Sequence, residues 1–332
     1  MDQTQPRSEA SLYGAVAEFQ KPTLHRSLWQ IANSALPYMG IVAAMYWSLG
    51  VSYWLTIALA IPAAGFLTRV FIIFHDCGHG SFFRSRQANR TVGFFSGLFF
   101  FLPFHYWTNQ HSVHHATAGD LDNRGSGDIH TMTVKEYLNL TPTKRLLYRI
   151  YRNPFTLLVL GPMFVFLVRY RFWYSSDSAR RRRSAMVTNV ALVVIILAAA
   201  FTIGIKTYVK IQAPIMLLSG MLGVWLFYVQ HQFEETYWEH HKTWNHLRGA
   251  LQGSSFYKLP PILQWFTGNI GFHHVHHLSP RIPNYRLQAC HEAIAELKNI
   301  RPITIRESFK TLRCHLWDED RKRLISFGDI AV

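Results

Sequence analysis

The chain has 332 residues, 49% of them hydrophobic, with 24 Phe, 15 Tyr and 10 Trp, and a formal net charge of +15. That aromatic load suits a membrane protein with interfacial belts, while a mean hydropathy of only +0.04 requires a sizeable polar part outside the lipid. The basic residues flank long apolar runs, so the expected partner is an anionic lipid surface and not nucleic acid, and three cysteines without metal-site spacing (Cys77, Cys290, Cys314) argue against a disulfide framework.

Residues 1–27 read as a polar N-terminal segment on the cytoplasmic side, without a secretory signal. The first long apolar run is Leu28–Leu49, interrupted by Pro37, and the second is Val51–Phe74. Each has roughly the 20 residues that a spanning helix needs. Arg69, near the end of the second run, is expected to snorkel to the interface. Val92–Phe104 is Phe-rich but too short to cross, and fits an in-membrane segment. A polar stretch follows from Ala116 to Asn153. Phe155–Trp173 is apolar again, with Gly161-Pro162 inside, and leads to Arg180-Arg181-Arg182-Arg183. Two more long runs, Met186–Ile205 and Ala213–Val229, complete the apolar part, and the chain is polar from Gln230 to its end.

Three histidine clusters sit where these runs end: His75-x-x-x-His79, His111-x-x-His114-His115 and His273-x-x-His276-His277. On a helix, positions i, i+3 and i+4 share one face, so each cluster aims two or three imidazoles at one point. Neutral imidazole is a ligand for Fe, Zn, Cu or Ni. Three clusters offer eight nitrogens, too many for one ion and about right for two. His231, at the end of the fourth run, is a ninth candidate. His274 lies off the shared face. Asp76, Asp120 and Asp122 are candidates to accept N–H bonds from ligand imidazoles. Asn269 is a candidate to hold a metal-bound water or to cap a helix. Gly78 and Gly80 allow close backbone approach or a helix stop.

Topology follows from two constraints. The clusters must lie on one side of the membrane to share a site, and the four-arginine run belongs in the cytoplasm. If Phe155–Trp173 crossed, the arginines, His231 and the third cluster would be stranded opposite the second. The expectation is therefore an all-α integral membrane fold. It has four transmembrane helices (about 28–49, 51–74, 186–205 and 213–229), two in-membrane segments that do not cross, and a cytoplasmic helical cap (75–185 and 230–332) carrying a di-metal site. Residues 28–332 form one membrane domain.

The three clusters resemble the histidine boxes of membrane fatty acid desaturases. Gln230-His231 resembles the additional histidine of the delta-12/omega-6 branch. The stretch from Gly268-Asn269-Ile270-Gly271-Phe272 through His277-Leu278-Ser279-Pro280-Arg281-Ile282-Pro283-Asn284-Tyr285 looks like bacterial acyl-lipid desaturases, and the similarity runs from about Ser27 to the C-terminus. The resemblance implies two iron ions cycling between Fe2+ and Fe3+ and O2 as co-substrate. The substrate it implies is a lipid-linked fatty acyl chain that acquires a cis double bond. Membership in that group also implies the bacterial inner (plasma) membrane with the site facing the cytoplasm. No His-Pro-Gly-Gly haem-binding stretch of a fused cytochrome b5 domain occurs in the sequence. Electrons are then expected from a separate acidic carrier, ferredoxin or flavodoxin, steered by the basic cytoplasmic face.

Two other readings use the same residues. A hydroxylase of the same superfamily, acting on alkanes or carotenoids, shares the boxes. A membrane metal transporter would place its ligands within the spans, often with carboxylates, and these runs are nearly free of His, Asp and Glu.

Overall fold

The computed structural model describes residues 8–125 and 127–330. The first seven residues of the expected N-terminal segment lie outside the described residues. The described residues divide into two compact units, one of residues 23–109 and 155–225, the other drawn from 8–22, 110–154 and 226–330.

The first unit is helical. Leu24–Ser48 is one helix with Pro37 inside it, and Tyr53–His79 is a second, with Pro62 inside. Proline removes one ladder hydrogen bond in each, which apolar helices of this kind tolerate when neighbours cover the gap. The second helix carries the first histidine box as its last turn. Gly80 ends it in the left-handed conformation (φ 69°), as a helix stop requires of a residue without Cβ. Arg69 does not snorkel. It is buried and turned sideways, donating through Nε to Ser34 Oγ (3.2 Å) and through Nη2 to Asn33 Oδ1 (3.1 Å) on the neighbouring helix. Those two polar residues supply partners for the guanidinium inside the protein.

The Phe-rich run Val92–Phe104 is not one element: its first seven residues are the second half of helix Arg86–Leu98, N-capped by Ser85, a turn follows, and Phe104 begins the next helix. Arg86–Leu98 packs tightly on Tyr53–His79, since a Cβ at Gly97 would lie 2.9 Å from Phe74 Cε2. Phe155–Trp173 is broken into a π-helical turn (Thr156–Leu160), a short helix (Gly161–Leu167) and a 3-10 turn (Arg169–Arg171). Pro162 cannot donate to the ladder, and the Gly161 N–H bonds Thr156 O, five residues back. Ala179–Thr202 starts on the arginine run, with Ser178 as its N-cap, and presents Val190, Val194 and Phe201 outward.

Among the described residues three helices are long and apolar enough to cross a membrane: Tyr53–His79, Ala179–Thr202 and Ile205–His231. A fourth crossing meets the same test only if Thr156–Arg171 is joined to Pro142–Tyr151. Leu24–Ser48 has the length, at 25 residues, but carries His25, Arg26, Gln30 and Asn33 in its first half.

The described residues are mostly helical, as expected, and the second unit adds a few short strands to that all-α expectation. Met132–Thr133 pairs parallel with Leu316–Asp318, which pairs antiparallel with Arg323–Ile325. Phe256–Tyr257 pairs parallel with Pro302–Ile303. Strands of two or three residues are too short to show a period of two, so the sequence pattern could not reveal them. Leu121, Trp238, Cys314, Trp317 and Leu324 form one core beside this sheet, and Tyr137, Tyr148, Leu316 and Ile325 another.

Candidate metal centre

Helix Phe104–Thr117 carries the second box, helix His273–Leu278 the third, and His231 is the last residue of Ile205–His231. Within the second unit these elements bring histidines together in two groups. In one, His114, His231, His273 and His277 are all buried, with ligand atoms within 4.8 Å of one another. His231 Nε2 lies 3.1 Å from His114 Nε2 and 2.9 Å from His273 Nε2. In the other, His115 Nε2 lies 3.1 Å from both His111 Nε2 and His276 Nε2. In the first unit His75 and His79 face each other one helical turn apart, ring centroids 4.8 Å apart.

The outward nitrogens explain what the inward ones are for. His231 Nδ1 donates to Gly253 O at 3.2 Å, and His114 Nδ1 is bonded to the Asp128 carboxylate. With the ring proton spent on these acceptors, each Nε2 presents a lone pair. Lone pairs facing one another at about 3 Å repel unless a cation lies between them. Nitrogens about 2.1 Å from a common ion and at right angles to each other are about 3.0 Å apart, the spacing seen here. His277 Nε2 is buried without a hydrogen-bond partner, and burial followed by the neighbouring histidines pushes the His277 pKa well below its usual value. The ring is therefore neutral and able to ligate. The donor set fits transition-metal ions bound by imidazole.

The polar residues singled out from sequence divide. Asp76 meets His75 Nδ1 at 3.3 Å. Asp120 and Asp122 do not back a clustered histidine: Asp120 accepts from His241 Nδ1 (2.7 Å) and Asp122 from His240 Nδ1 (2.8 Å). Burial alone would raise the Asp120 pKa, but bonds from Asn123, His241 and the Asp122 N–H more than offset it and hold it below the usual range. Asn269 sits at φ 58° and shapes a turn. It accepts from Gln264 Nε2 (3.0 Å) and donates to Asn284 O (3.2 Å), a left-handed position that asparagine tolerates. His274 points away from the shared face to His291 Nδ1 (3.1 Å), and burial holds its pKa down at about 3.

Asp128 and Gly253 were not found from sequence. Asp128 follows His114 by 14 residues, a separation with no helical meaning, and a backbone carbonyl has no sequence signature. Arg152 was also missed. Fully buried, it donates to His130 O (3.1 Å), Thr131 Oγ1 (3.1 Å), Tyr228 OH (3.2 Å), Gln232 Oε1 (2.8 Å) and Cys314 O (2.6 Å). Two of those partners, Tyr228 and Gln232, flank His231 on its own stretch of chain.

A family model described as fatty acid desaturase matches residues 52–302. The chain is 47% identical over 331 residues to a fatty acid desaturase of Bacillus subtilis (strain 168), covering 99% of this chain and 94% of that one. It is 28% identical to an sn-1 oleoyl-lipid 12-desaturase of Anabaena variabilis, over 82% of this chain and 77% of the relative. An sn-2 acyl-lipid omega-3 desaturase (ferredoxin), chloroplastic, of Arabidopsis thaliana is 28% identical over 76% of this chain and 55% of the relative. With its buried groups of facing imidazoles and these similarities along nearly its whole length, the chain belongs to the fatty acid desaturase family, oxidoreductases that act on fatty acyl chains.

Proposed function

We propose that this desaturase acts on acyl groups esterified in membrane lipids, at two iron ions held by His75, His79, His111, His114, His115, His231, His273, His276 and His277. The observation that carries the reading is the set of Nε2 atoms of His114, His231 and His273 turned on one point, with Asp128 and Gly253 taking the outward protons of two of the rings. His111, His115 and His276 form the core of the second set, which the first-box pair completes on the pattern of the three boxes. The reaction balances as R–CH2–CH2–R plus O2, two electrons and two protons giving R–CH=CH–R (cis) and two waters.

A methylene C–H has no acidity that a side chain can exploit, so general-base catalysis is useless here. The iron pair, when bound, supplies with O2 the oxidising power to remove those hydrogens. The chain's own residues hold and orient that pair. Asp128 fixes the tautomer and tilt of His114, and Gly253 O does the same for His231. Burial of His273, His276 and His277 keeps bulk water from the reactive centre.

In the same proposal residues 28–332 form one membrane domain with four spans near 28–49, 51–74, 186–205 and 213–229. Its metal site and the arginine run face the cytoplasm of a bacterial inner membrane. The broken path of Thr156–Arg171 supports a segment that enters the membrane without crossing. Electrons come from a separate acidic carrier, ferredoxin or flavodoxin, drawn by the +15 charge, and the Arabidopsis thaliana relative, named for ferredoxin, points the same way. Expression in a bacterium without desaturases, followed by mass spectrometry of the fatty acids, tests the proposal. Loss of two mass units marks desaturation and gain of sixteen marks hydroxylation. Unchanged lipids from iron-loaded protein with a working reductant would overturn it.

A further inference from the structure

We infer that the first unit holds a binding site for the phosphate headgroup of an anionic glycerophospholipid, built by Arg90, Arg180, Arg183 and His105. A groove of about 580 Å³ lies between these side chains, with Phe94 and Val187 among its apolar lining. The inference rests on the membrane reading above and adds a lipid class to it.

The arginines of this unit divide by what they do. Arg169 donates to Tyr106 OH (3.0 Å), Arg171 donates to Asn189 Oδ1 (2.7 Å), and Arg181 pairs with Asp177 (2.9 Å). These three are spent on the fold. Among the described residues Arg90, Arg180 and Arg183 have neither an acidic partner nor a side-chain hydrogen bond, yet they surround one groove. Guanidinium groups gathered in this way repel one another. Two of them sit in the first turns of Ala179–Thr202, where the helix dipole also disfavours a cation. His105 registers the resulting field: burial first, then Arg180 and Arg90, hold its pKa below the usual value. An anion in the groove relieves all of these terms together.

The setting selects a lipid as the source of that anion. On Arg86–Leu98 the chain passes from Arg90 to Phe94 and Phe95 within five residues, and on Ala179–Thr202 from Arg183 to Met186 and Val187 within four. Phe95, Met186 and Val190 are exposed at 59%, 51% and 59%, as lipid-facing residues are. The groove thus has a cationic mouth at the level where both helices turn apolar, which is headgroup depth. Guanidinium is also the side chain that grips phosphate oxygens two at a time. A phosphodiester at the mouth would leave its glycerol and acyl portion along Phe94 and Val187.

Native mass spectrometry of the full-length protein in detergent, titrated with phosphatidylglycerol, tests this directly. Each arginine near the surface contributes about a fivefold gain in affinity, so Arg90→Gln/Arg180→Gln/Arg183→Gln should weaken phosphatidylglycerol binding on the order of 100-fold. Arg84→Gln/Arg86→Gln/Arg182→Gln removes the same charge outside the groove and should leave binding within about twofold, because charge that is not at the site is screened. Phosphatidylcholine should bind more weakly to the native protein, and millimolar inorganic phosphate should not displace phosphatidylglycerol. Equal loss in both triple variants would reduce the effect to general surface charge and sink the inference, and full displacement by inorganic phosphate would sink the lipid assignment. If the first triple variant does not fold, its three single variants carry the test, each expected to lose about fivefold. Binding is read without iron or turnover. Failure here therefore leaves the desaturation proposal standing, and an inactive protein that still selects phosphatidylglycerol leaves this one standing.

Discussion

Replacing Arg152 with methionine tests whether a residue outside the histidine groups holds His231 in place. The guanidinium makes five hydrogen bonds of 2.6–3.2 Å in a fully buried position. Methionine fills most of the volume and donates nothing. Two acceptors keep a second donor: Gln232 Oε1 retains Thr131 Oγ1 at 3.1 Å, and Cys314 O retains Tyr228 OH at 3.0 Å. His130 O, on an exposed residue, keeps only a 3.5 Å contact from Tyr148 OH within the protein. Losing the charged donor from all five acceptors, most of which keep a second partner or reach water, sums to about 3 kcal/mol, below the loss expected when a buried ion pair is broken, because no charge is left behind. Differential scanning fluorimetry of the detergent-solubilised protein should show a fall of roughly 4 °C in melting temperature. Iron bound per chain should drop as well, since Tyr228 and Gln232 lose the anchor that sets the end of the His231 helix. Arg152→Lys, with three donors in place of five, should fall between. A methionine variant with unchanged melting and full iron would refute the idea that this network positions His231.

Three further outcomes follow from the geometry. Asp128→Asn should loosen His114 and lower iron affinity about 10- to 100-fold, read by metal analysis after dialysis against a chelator, while Asp122→Asn should leave iron unchanged. Gly119→Ala should destabilise the fold by about 2 kcal/mol, because the residue sits at φ 81° and a Cβ would stand 2.8 Å from Tyr237 O; wild-type melting in that variant would contradict the packing described. His315 stacks on Phe327 at 4.3 Å, and burial followed by Arg152 lowers its pKa to about 4. The unfolded chain binds the proton more readily, so this contribution is intact above pH ~6.5 and is lost as pH falls towards 4. His315→Gln should flatten the melting-temperature profile across that window, and an unchanged slope would exclude His315 as its source.

The histidine groups were legible because helical spacing is a local property: i, i+3 and i+4 put His273, His276 and His277 on one face and sent His274 to another. The long helices were legible for the same reason, through runs of apolar residues. What the pattern missed depends on residues far apart in the chain. Asp128 and Gly253 meet their histidines through loops, and Asp120 and Asp122, near the second box in sequence, turn to His241 and His240 instead. Arg69 was expected at the interface because composition cannot show that Asn33 and Ser34 wait on the adjacent helix. The two- and three-residue strands carry no periodic signal at all.

Counting the metal is the most direct test of the central claim. Protein purified anaerobically from iron-supplemented cells should hold two iron ions per chain by mass-spectrometric metal analysis and show a spin-coupled pair by Mössbauer spectroscopy. His277→Ala should lower that count. One ion per chain, or zinc in place of iron in protein that still desaturates lipid, would contradict the account.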